Sequence, residues 1–315
     1  MRTDAPQPPR SAELAAMREL IRRHKRADIV FGLVGLVCMM VGVVTLLVLF
    51  VDLMIDGLPR FSRDFFMNFP SRHAERAGIL SAWVGTCLVM LVTMVAAVPL
   101  GVAAGIYLEE YAPKNWVTDL IEINVTNLAG VPSIVYGLLA LGLFVYIFGL
   151  GQSIATAGLT LALLILPVII VTTREAIRAI PVSIREAAYG VGATRWQVVA
   201  DHVLPYSIGG IMTGVIIGLA RAIGETAPLI TVGALTFIAF LPPSPLRSEA
   251  PYVSFEWLLS PFTVLPIQMF NWVSRPDEKF LLNAAATGIV IIVATLAMNA
   301  LAIWLRYRLR KRIQW

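Results

Sequence analysis

Six stretches of predominantly apolar residues recur along this chain and leave it few ways to fold: Ile29 to Met54, Ile79 to Leu108, Ile121 to Phe148, Ser153 to Thr173, Ser207 to Ala239 and Leu281 to Tyr307. At about 1.5 Å of rise per residue, roughly 20 apolar residues in a helix cross the hydrocarbon core of a bilayer. The expected fold class is therefore all-α, a polytopic membrane protein of about six transmembrane helices. Composition agrees, since 58% of the 315 residues are hydrophobic and only 14% are charged, a balance too apolar for a soluble domain of this size.

Lysine and arginine are retained on the cytoplasmic side of a membrane. The N-terminal tail carries Arg2, Arg10, Arg18, Arg22, Arg23, Lys25 and Arg26, and the C-terminal tail Arg306, Arg308, Arg310, Lys311 and Arg312. Both termini are expected to be cytoplasmic. With six crossings, the segment from Arg174 to Tyr206 also lies inside, with Arg174, Arg178, Arg185 and Arg195, while Asp56 to Gly78 and Leu241 to Phe280 lie outside. The first outer loop runs against the rule, because it holds Arg60, Arg63, Arg72 and Arg76, partly offset by Asp56, Asp64 and Glu75. The net charge of +5 thus describes membrane topology. It does not point to nucleic acid, for which no motif accompanies it.

A polar tail of roughly thirty residues precedes an apolar run too long for a signal peptide, so the first helix is expected to remain as an uncleaved anchor. Within that tail Ser11 is placed to cap a helix with Leu14, Met17 and Ile21 on its apolar face, lying on anionic lipid, with disorder or docking on a partner as the alternatives. Cys38 and Cys87 fall within membrane helices without the spacing of a metal site and read as small packing residues. His24, His73 and His202 are isolated. No metal site is predicted.

Charges inside an apolar run carry more information. Gly218-Leu219-Ala220-Arg221-Ala222-Ile223-Gly224-Glu225-Thr226-Ala227-Pro228 places an arginine and a glutamate at membrane depth. An ionised side chain at the middle of a membrane helix costs about 2.5–3.5 kcal/mol, so such residues face a partner or an aqueous pathway. The chain is thereby predicted to move something across a membrane. Four residues apart on a continuous helix, Arg221 and Glu225 share a face and form a salt bridge. Pro228 has no amide to donate to the carbonyl of Gly224, so the helix should kink or break within a turn of Glu225. Irregular backbone at this depth is tolerated where it lines a cavity or is buried in protein. Freed carbonyls repel anions, which makes Gly224 and Pro228 a gate or hinge rather than an anion cradle. Thr226 offers a hydroxyl to the pathway or bonds back to its own helix. Pro132 and Ser133 repeat the theme in the third crossing, as a kink with a nearby hydroxyl and with packing as the alternative role. Gly210, Gly214 and Gly218 recur every four residues, a spacing that lets another helix approach closely.

The inner loop between the fourth and fifth crossings is the most organised polar segment. Ser183-Ile184-Arg185-Glu186 has capping-box spacing with Pro181 just upstream; Gly190 and Gly192 interrupt the helix; Thr194-Arg195-Trp196-Gln197 supplies a second capping box. Trp196, Val199, Ala200 and Val203 then form one apolar stripe about two turns long, which Leu204-Pro205 is expected to end. A short amphipathic helix of this kind lies on the membrane, packs on its own protein or enters a groove of another subunit, and periodicity does not choose among these.

The wording Glu186-Ala187-Ala188-x-x-x-Gly192, followed by Leu204-Pro205, resembles the EAA loop of the membrane subunits of ABC importers. It departs from that pattern at His202, where an aliphatic residue is usual. Three further runs resemble the A-type permeases of phosphate-specific ABC importers: Ala129-Gly130-Val131-Pro132-Ser133-Ile134-Val135-Tyr136-Gly137, Arg221 through Leu229 with its Thr-Ala-Pro-Leu ending, and Leu265-Pro266-Ile267-Gln268-Met269-Phe270-Asn271-Trp272. Together the motifs span roughly residues 80 to 310.

The resemblance implies a type I ABC importer permease fold in a bacterial inner membrane. It implies pairing with the homologous C-type permease into one pathway, an extracytoplasmic phosphate-binding protein delivering phosphate, and a dimer of ATP-binding subunits driving the cycle from inside. Docking on those subunits would fall to Glu186, Ala187, Ala188, Gly192, Trp196, Leu204 and Pro205. The chain contains no Gly-Lys-Ser or Gly-Lys-Thr, hence no Walker A cradle. It is expected not to be an enzyme and to bind no cofactor, ATP being hydrolysed by partner subunits.

Under this resemblance Arg221 offers a planar set of donors to a phosphate oxyanion, and Glu225 fixes its rotamer and limits its attraction. The alternatives are a self-neutralising pair that holds the bundle and a pair that faces the partner permease. The substrate pathway would comprise Arg221, Glu225, Thr226 and Ser133, with Pro132, Gly224 and Pro228 as gate or hinge. Such permeases are expected to carry an arginine just before Thr172-Thr173, where this chain has Val171, with Arg174 and Arg178 further along.

The expected division is 1–28 cytoplasmic tail, 29–78 first helix and outer loop, 79–307 permease domain including the coupling loop 183–205, and 308–315 basic tail. In the last outer segment, with Pro242, Pro243, Pro245, Pro251, Pro261 and Pro266, the aromatics Phe255, Trp257, Phe262 and Trp272 are expected at the membrane interface. The competing functions are permeases for molybdate, sulfate or phosphonate, and a membrane scaffold for phosphate signalling. A secondary transporter would leave the inner loop without a partner.

Overall fold

The computed structural model describes residues 10–244 and 254–310, and the regular structure among them is helical throughout. The chain divides into two compact units, residues 1–55 and 56–315. The first consists of α1 (Arg10–Gly57), one helix through the tail and the first apolar run. No glycine or proline stands between Ser11 and Gly32 to stop it, so the tail forms no separate interfacial helix, and Ser11 lies in the first turn of a helix that runs on. The side chains of Ser11, Leu14 and Ile21 fall outside the described residues, as do Pro245 and Pro251.

The second unit contains α2 (Arg63–Met67), α3 (Leu80–Ile106) with a π-helical extension Tyr107–Tyr111, α4 (Trp116–Leu128), and α5 (Ser133–Ala140) with a π-helical extension Leu141–Ile147. Then come α6 (Ile154–Arg178), α7 (Val182–Gly190), α8 (Arg195–Gln197), a π-helical stretch Val198–Val203, α9 (Leu204–Gly224), α10 (Ala227–Val232), α11 (Leu265–Val273) and α12 (Lys279–Arg310).

Among the described residues, five helices are long and apolar enough to cross a bilayer: Ala27–Arg60, Leu80–Tyr111, Ile154–Arg178, Arg195–Gly224 and Lys279–Arg308. The expected third crossing is instead a bent pair, α4 and α5 meeting at 107°, because Gly130 and Pro132 prevent the helix from continuing through residues 129–132. Whether this pair returns the chain across the bundle is decided by ionic contacts. Glu109 and Glu110, at the end of α3, bond to Arg178 and Arg185, at and beyond the end of α6. α3 and α6 therefore end at the same face of the bundle, and α4 with α5 carries the chain back between them. With the bent pair counted as one span, the described residues make six crossings.

The main core lies where α3, α6, α9 and α10 meet, around Val89, Ala97, Leu161, Ile165, Ile169, Leu219 and Leu229. α9 lies close against α6 because it presents glycines there. A Cβ on Gly214 would overlap Thr172, and one on Gly210 would overlap Ala176. The segment 58–78 packs within the second unit. Phe65 stacks near Trp272 (6.2 Å between centroids), and Arg60 donates to the Asn283 side chain and to the Ala74 and Ala77 carbonyls. That structural use accounts for one of the arginines that broke the charge rule.

Trp257, Phe262 and Trp272 are buried, and only Phe255 of the expected interfacial aromatics is exposed. The outer segment folds back onto the bundle, as in Leu235 N–H donating to Phe262 O, and takes its rings into the core. Cys38 and Cys87 are both exposed rather than packed inside.

Candidate functional site

Arg221 closes the last turn of α9, which ends at Gly224. Glu225 has left the helix (φ −76°, ψ 131°), yet its carboxylate still meets Arg221, Nε to Oε1 at 3.2 Å. The side chains are 37% and 18% exposed, so the pair is not sealed within this chain. Pro228 falls in the first turn of α10, where its missing amide costs no helical bond. The break thus comes at Glu225 and Thr226, within the turn that the sequence indicated. The apolar run that followed does not extend the helix: the chain leaves α10 at Gly233, φ +95°. Thr226 precedes α10, and its hydroxyl caps nothing.

The second break lies beside the first. Tyr136, buried on α5, donates to Leu128 O across the bend at 2.7 Å and so holds the end of α4 to α5. On the same turn, a Cβ at Gly137 would overlap Thr231 and stand 2.7 Å from Pro228 Cα. Gly137 therefore lets α5 and α10 touch backbone to backbone. Ser133 opens α5 and is half-buried, and Pro132 before it is exposed. Two interrupted helices with a guanidinium–carboxylate pair at one break form the first candidate site. A groove of about 700 Å³ lined by residues such as Trp83, Cys87, Met90, Met94 and Ile223 carries no charged group, which suits lipid or an apolar helix and not an anion.

The second candidate site is a platform at the other end of the polar loop. α7 is preceded by Pro181, and no side chain caps it. Ser183 sits inside the helix, one residue past its start, so the first expected capping box does not form. The second does: Thr194 Oγ1 accepts from Gln197 N–H, and Gln197 Oε1 accepts from Thr194 N–H at 2.8 Å. Gly192 at φ +86° makes the turn between the two helices.

Leu204-Pro205 does not end the helix. The Leu204 amide bonds to Val199 O, five residues back, and Pro205, which has no amide, follows at once and starts α9 without breaking the run. The same π-helical stretch brings residues five apart onto one side. Val198 and Val203 are buried with Ile177, Ile180 and Ala188, whereas Trp196 is 70% exposed and outside the stripe it was expected to join. Glu186, Ala187 and Gly192 are exposed with Trp196, Ala188 is buried, and Leu204 and Pro205 are half-buried. Tyr189 and Val191 add to the exposed apolar surface.

Sequence reasoning missed the ionic cluster that carries this platform. Arg185 of α7 donates twice to Glu110 Oε1 (3.1 and 2.8 Å) and caps the end of α6 through Ile180 O (2.9 Å) and Ile177 O (3.0 Å). Glu109 takes Arg178 at 3.0 Å and Arg174 at 3.4 Å, and Arg174 also pairs with Glu122 of α4. Arg195 lies over the Tyr111 ring at 5.5 Å. The partners are dozens of residues apart, and the only sequence signal was the pair of acids at 109–110 closing an apolar run. No group of residues suited to a metal ion occurs among the described residues.

Comparisons with known proteins follow this geometry. Residues 97–315 match the family of binding-protein-dependent transport system inner membrane components. A Bacillus subtilis (strain 168) protein named as a probable ABC transporter permease, YqgI, is 31% identical over 90% of this chain and 95% of its own length. The phosphate transport system permease protein PstA of Yersinia pestis is 31% identical over 88% of this chain and 85% of its own. PstA of Xylella fastidiosa (strain Temecula1 / ATCC 700964) is 30% identical over 80% and 84%. Among solved structures, an inward-facing conformation of the MetNI methionine ABC transporter superposes with a TM-score of 0.54 at 16% identity, covering 71% of this chain and 94% of that one. That likeness concerns the fold, and it is the fold of a type I importer permease.

Proposed function

The chain belongs to the family of binding-protein-dependent transport system inner membrane components, and on that premise we propose that it is the A-type permease half of an ATP-driven importer of inorganic phosphate. The observation that carries the substrate is the set of phosphate transport permeases among its relatives, matched along most of both chains. The half-exposed Arg221–Glu225 pair supports it, because a guanidinium with donors to spare beside a helix break suits a tetrahedral oxyanion, and because its exposure leaves room for the C-type permease to close on it. Arg221, Glu225, Thr226 and Ser133 line the pathway in this reading, and Pro132, Gly224 and Pro228 let the broken helices move.

The exposed surface of Glu186, Ala187, Gly192, Trp196, Tyr189 and Val191 is where an ATP-binding subunit docks. Leu204 and Pro205 set the exit of the loop into α9, and Ala188 anchors it to the bundle. ATP is hydrolysed by those subunits, and this chain holds no cofactor of its own. The extracytoplasmic phosphate-binding protein delivers phosphate at the opposite face, and both termini are cytoplasmic.

The test is uptake of radiolabelled phosphate by cells that lack their own phosphate permeases and express this chain with its C-type partner, ATPase and binding protein. Phosphate uptake that unlabelled phosphate competes and sulfate, molybdate and phosphonate do not is the expected result. Uptake of another of these oxyanions without phosphate overturns the assignment.

A further inference from the structure

Arg174 is the buried centre of a charge cluster that no function has yet claimed, and its position is unusual. It is 7% exposed and lies on α6 between two carboxylates that belong to different parts of the fold. Glu109 closes α3 and is shared with Arg178; its neighbour Glu110 holds Arg185, which belongs to the docking helix α7. Glu122 belongs to α4, the first half of the bent crossing. α4 is tied to α5 by Tyr136, and α5 touches α10 at Gly137, beside the Arg221–Glu225 break. Arg174 is therefore the point where the docking platform and the interrupted pathway helix are joined through side chains.

Two further facts bear on its role. The cluster sets four acids, Glu109, Glu110, Glu122 and Glu175, against three arginines, Arg174, Arg178 and Arg185, so a shift of any one element leaves a buried or half-buried charge without its partner. The Nε of Arg174 is buried without an acceptor. A donor left open in this way can take up a carboxylate that moves toward it while the terminal nitrogens keep another. Such a group suits an element with two discrete arrangements, which is what coupling between distant sites requires.

We propose that Arg174, through Glu109 and Glu122, is the positioning residue that couples displacement of the docking helix to movement of the bent crossing α4–α5. The inference rests on the importer reading, since it needs an ATPase docked on α7. It says nothing of substrate contact: Arg174 acts through Glu122 and does not meet phosphate.

The experiment uses the complete complex in proteoliposomes and measures phosphate transported and ATP hydrolysed together. Glu122→Gln, at a position where the side chain is only partly buried, keeps Arg174 paired with Glu109. It is expected to assemble normally while phosphate moved per ATP falls about fivefold or more, the smaller end of ordinary coupling effects. Arg174→Lys should retain more of the ratio than Arg174→Met, and Lys279→Ala, which removes an exposed pair far along the chain, should leave it unchanged. If Glu122→Gln and Arg174→Met assemble yet lower transport and hydrolysis in proportion, or change neither, the coupling role is overturned. If the unaltered complex moves no phosphate, the importer reading fails instead. Should Arg174→Met not assemble, Glu122→Gln decides alone.

Discussion

Arg221 and Arg174 are the same side chain under two regimes of satisfaction. Arg174 is buried between two carboxylates, so its charge is spent inside the protein. Among the described residues Arg221 has one carboxylate neighbour, engaged through Nε, and more than a third of its side chain is open, which leaves its terminal nitrogens facing outward from the pair. A lysine at 221 would keep the charge and lose the planar fork. A hydrogen bond to a charged group contributes about 1.5–3 kcal/mol, so Arg221→Lys is expected to lower phosphate transport by roughly 10- to 100-fold at limiting phosphate. The complex should still co-purify with its ATPase. Uptake kinetics check the prediction, and undiminished transport by the lysine variant would remove the guanidinium from the pathway.

Short elements decide how the platform is held, and here local chemistry and tertiary packing divide the outcome. Replacing Thr194 by alanine removes the hydroxyl that accepts from Gln197 N–H and keeps the residue 194 amide that donates to Gln197 Oε1, and should cost about 1 kcal/mol. Amide hydrogen exchange across residues 194–203 should then quicken about fivefold, with exchange in α6 unchanged. The Thr194 box was legible because all of its bonds lie within four residues, and so was the break at Glu225, since Pro228 fixes it locally. The Ser183 box failed despite correct spacing because the helix starts two residues earlier, with Pro181 at its cap, whereas the stripe after Trp196 keeps Val199 and Val203 buried and Ala200 half-buried and loses only Trp196. The bend at 129–132 showed as a kink in the sequence, but its 107° is written in no residue spacing. The Arg174–Glu122 link was invisible for the same reason, being a pairing that only the assembled bundle creates.

At the scale of the whole molecule, six crossings place residues 58–78 and residues 182–203 on opposite faces of the membrane. In a variant without Cys38 and Cys87, a cysteine at Ser71 should react with a membrane-impermeant thiol reagent in intact cells. Cysteines at Ser183 and Arg308 should react only after permeabilisation. Labelling of Ser183→Cys from outside would mean that the bent pair α4–α5 does not cross.

The close seam between α6 and α9 bears on how any such machine could move. Where the glycines of one helix receive Thr172 and Ala176 of the other, a slide of even one residue would drive side chains into backbone, and interiors packed this tightly resist such strain. The two helices can only turn together as a single stiff beam. Mechanical work entering at the loop between them must therefore appear as rotation of that beam, and what flexes in response is the backbone where helices are already interrupted.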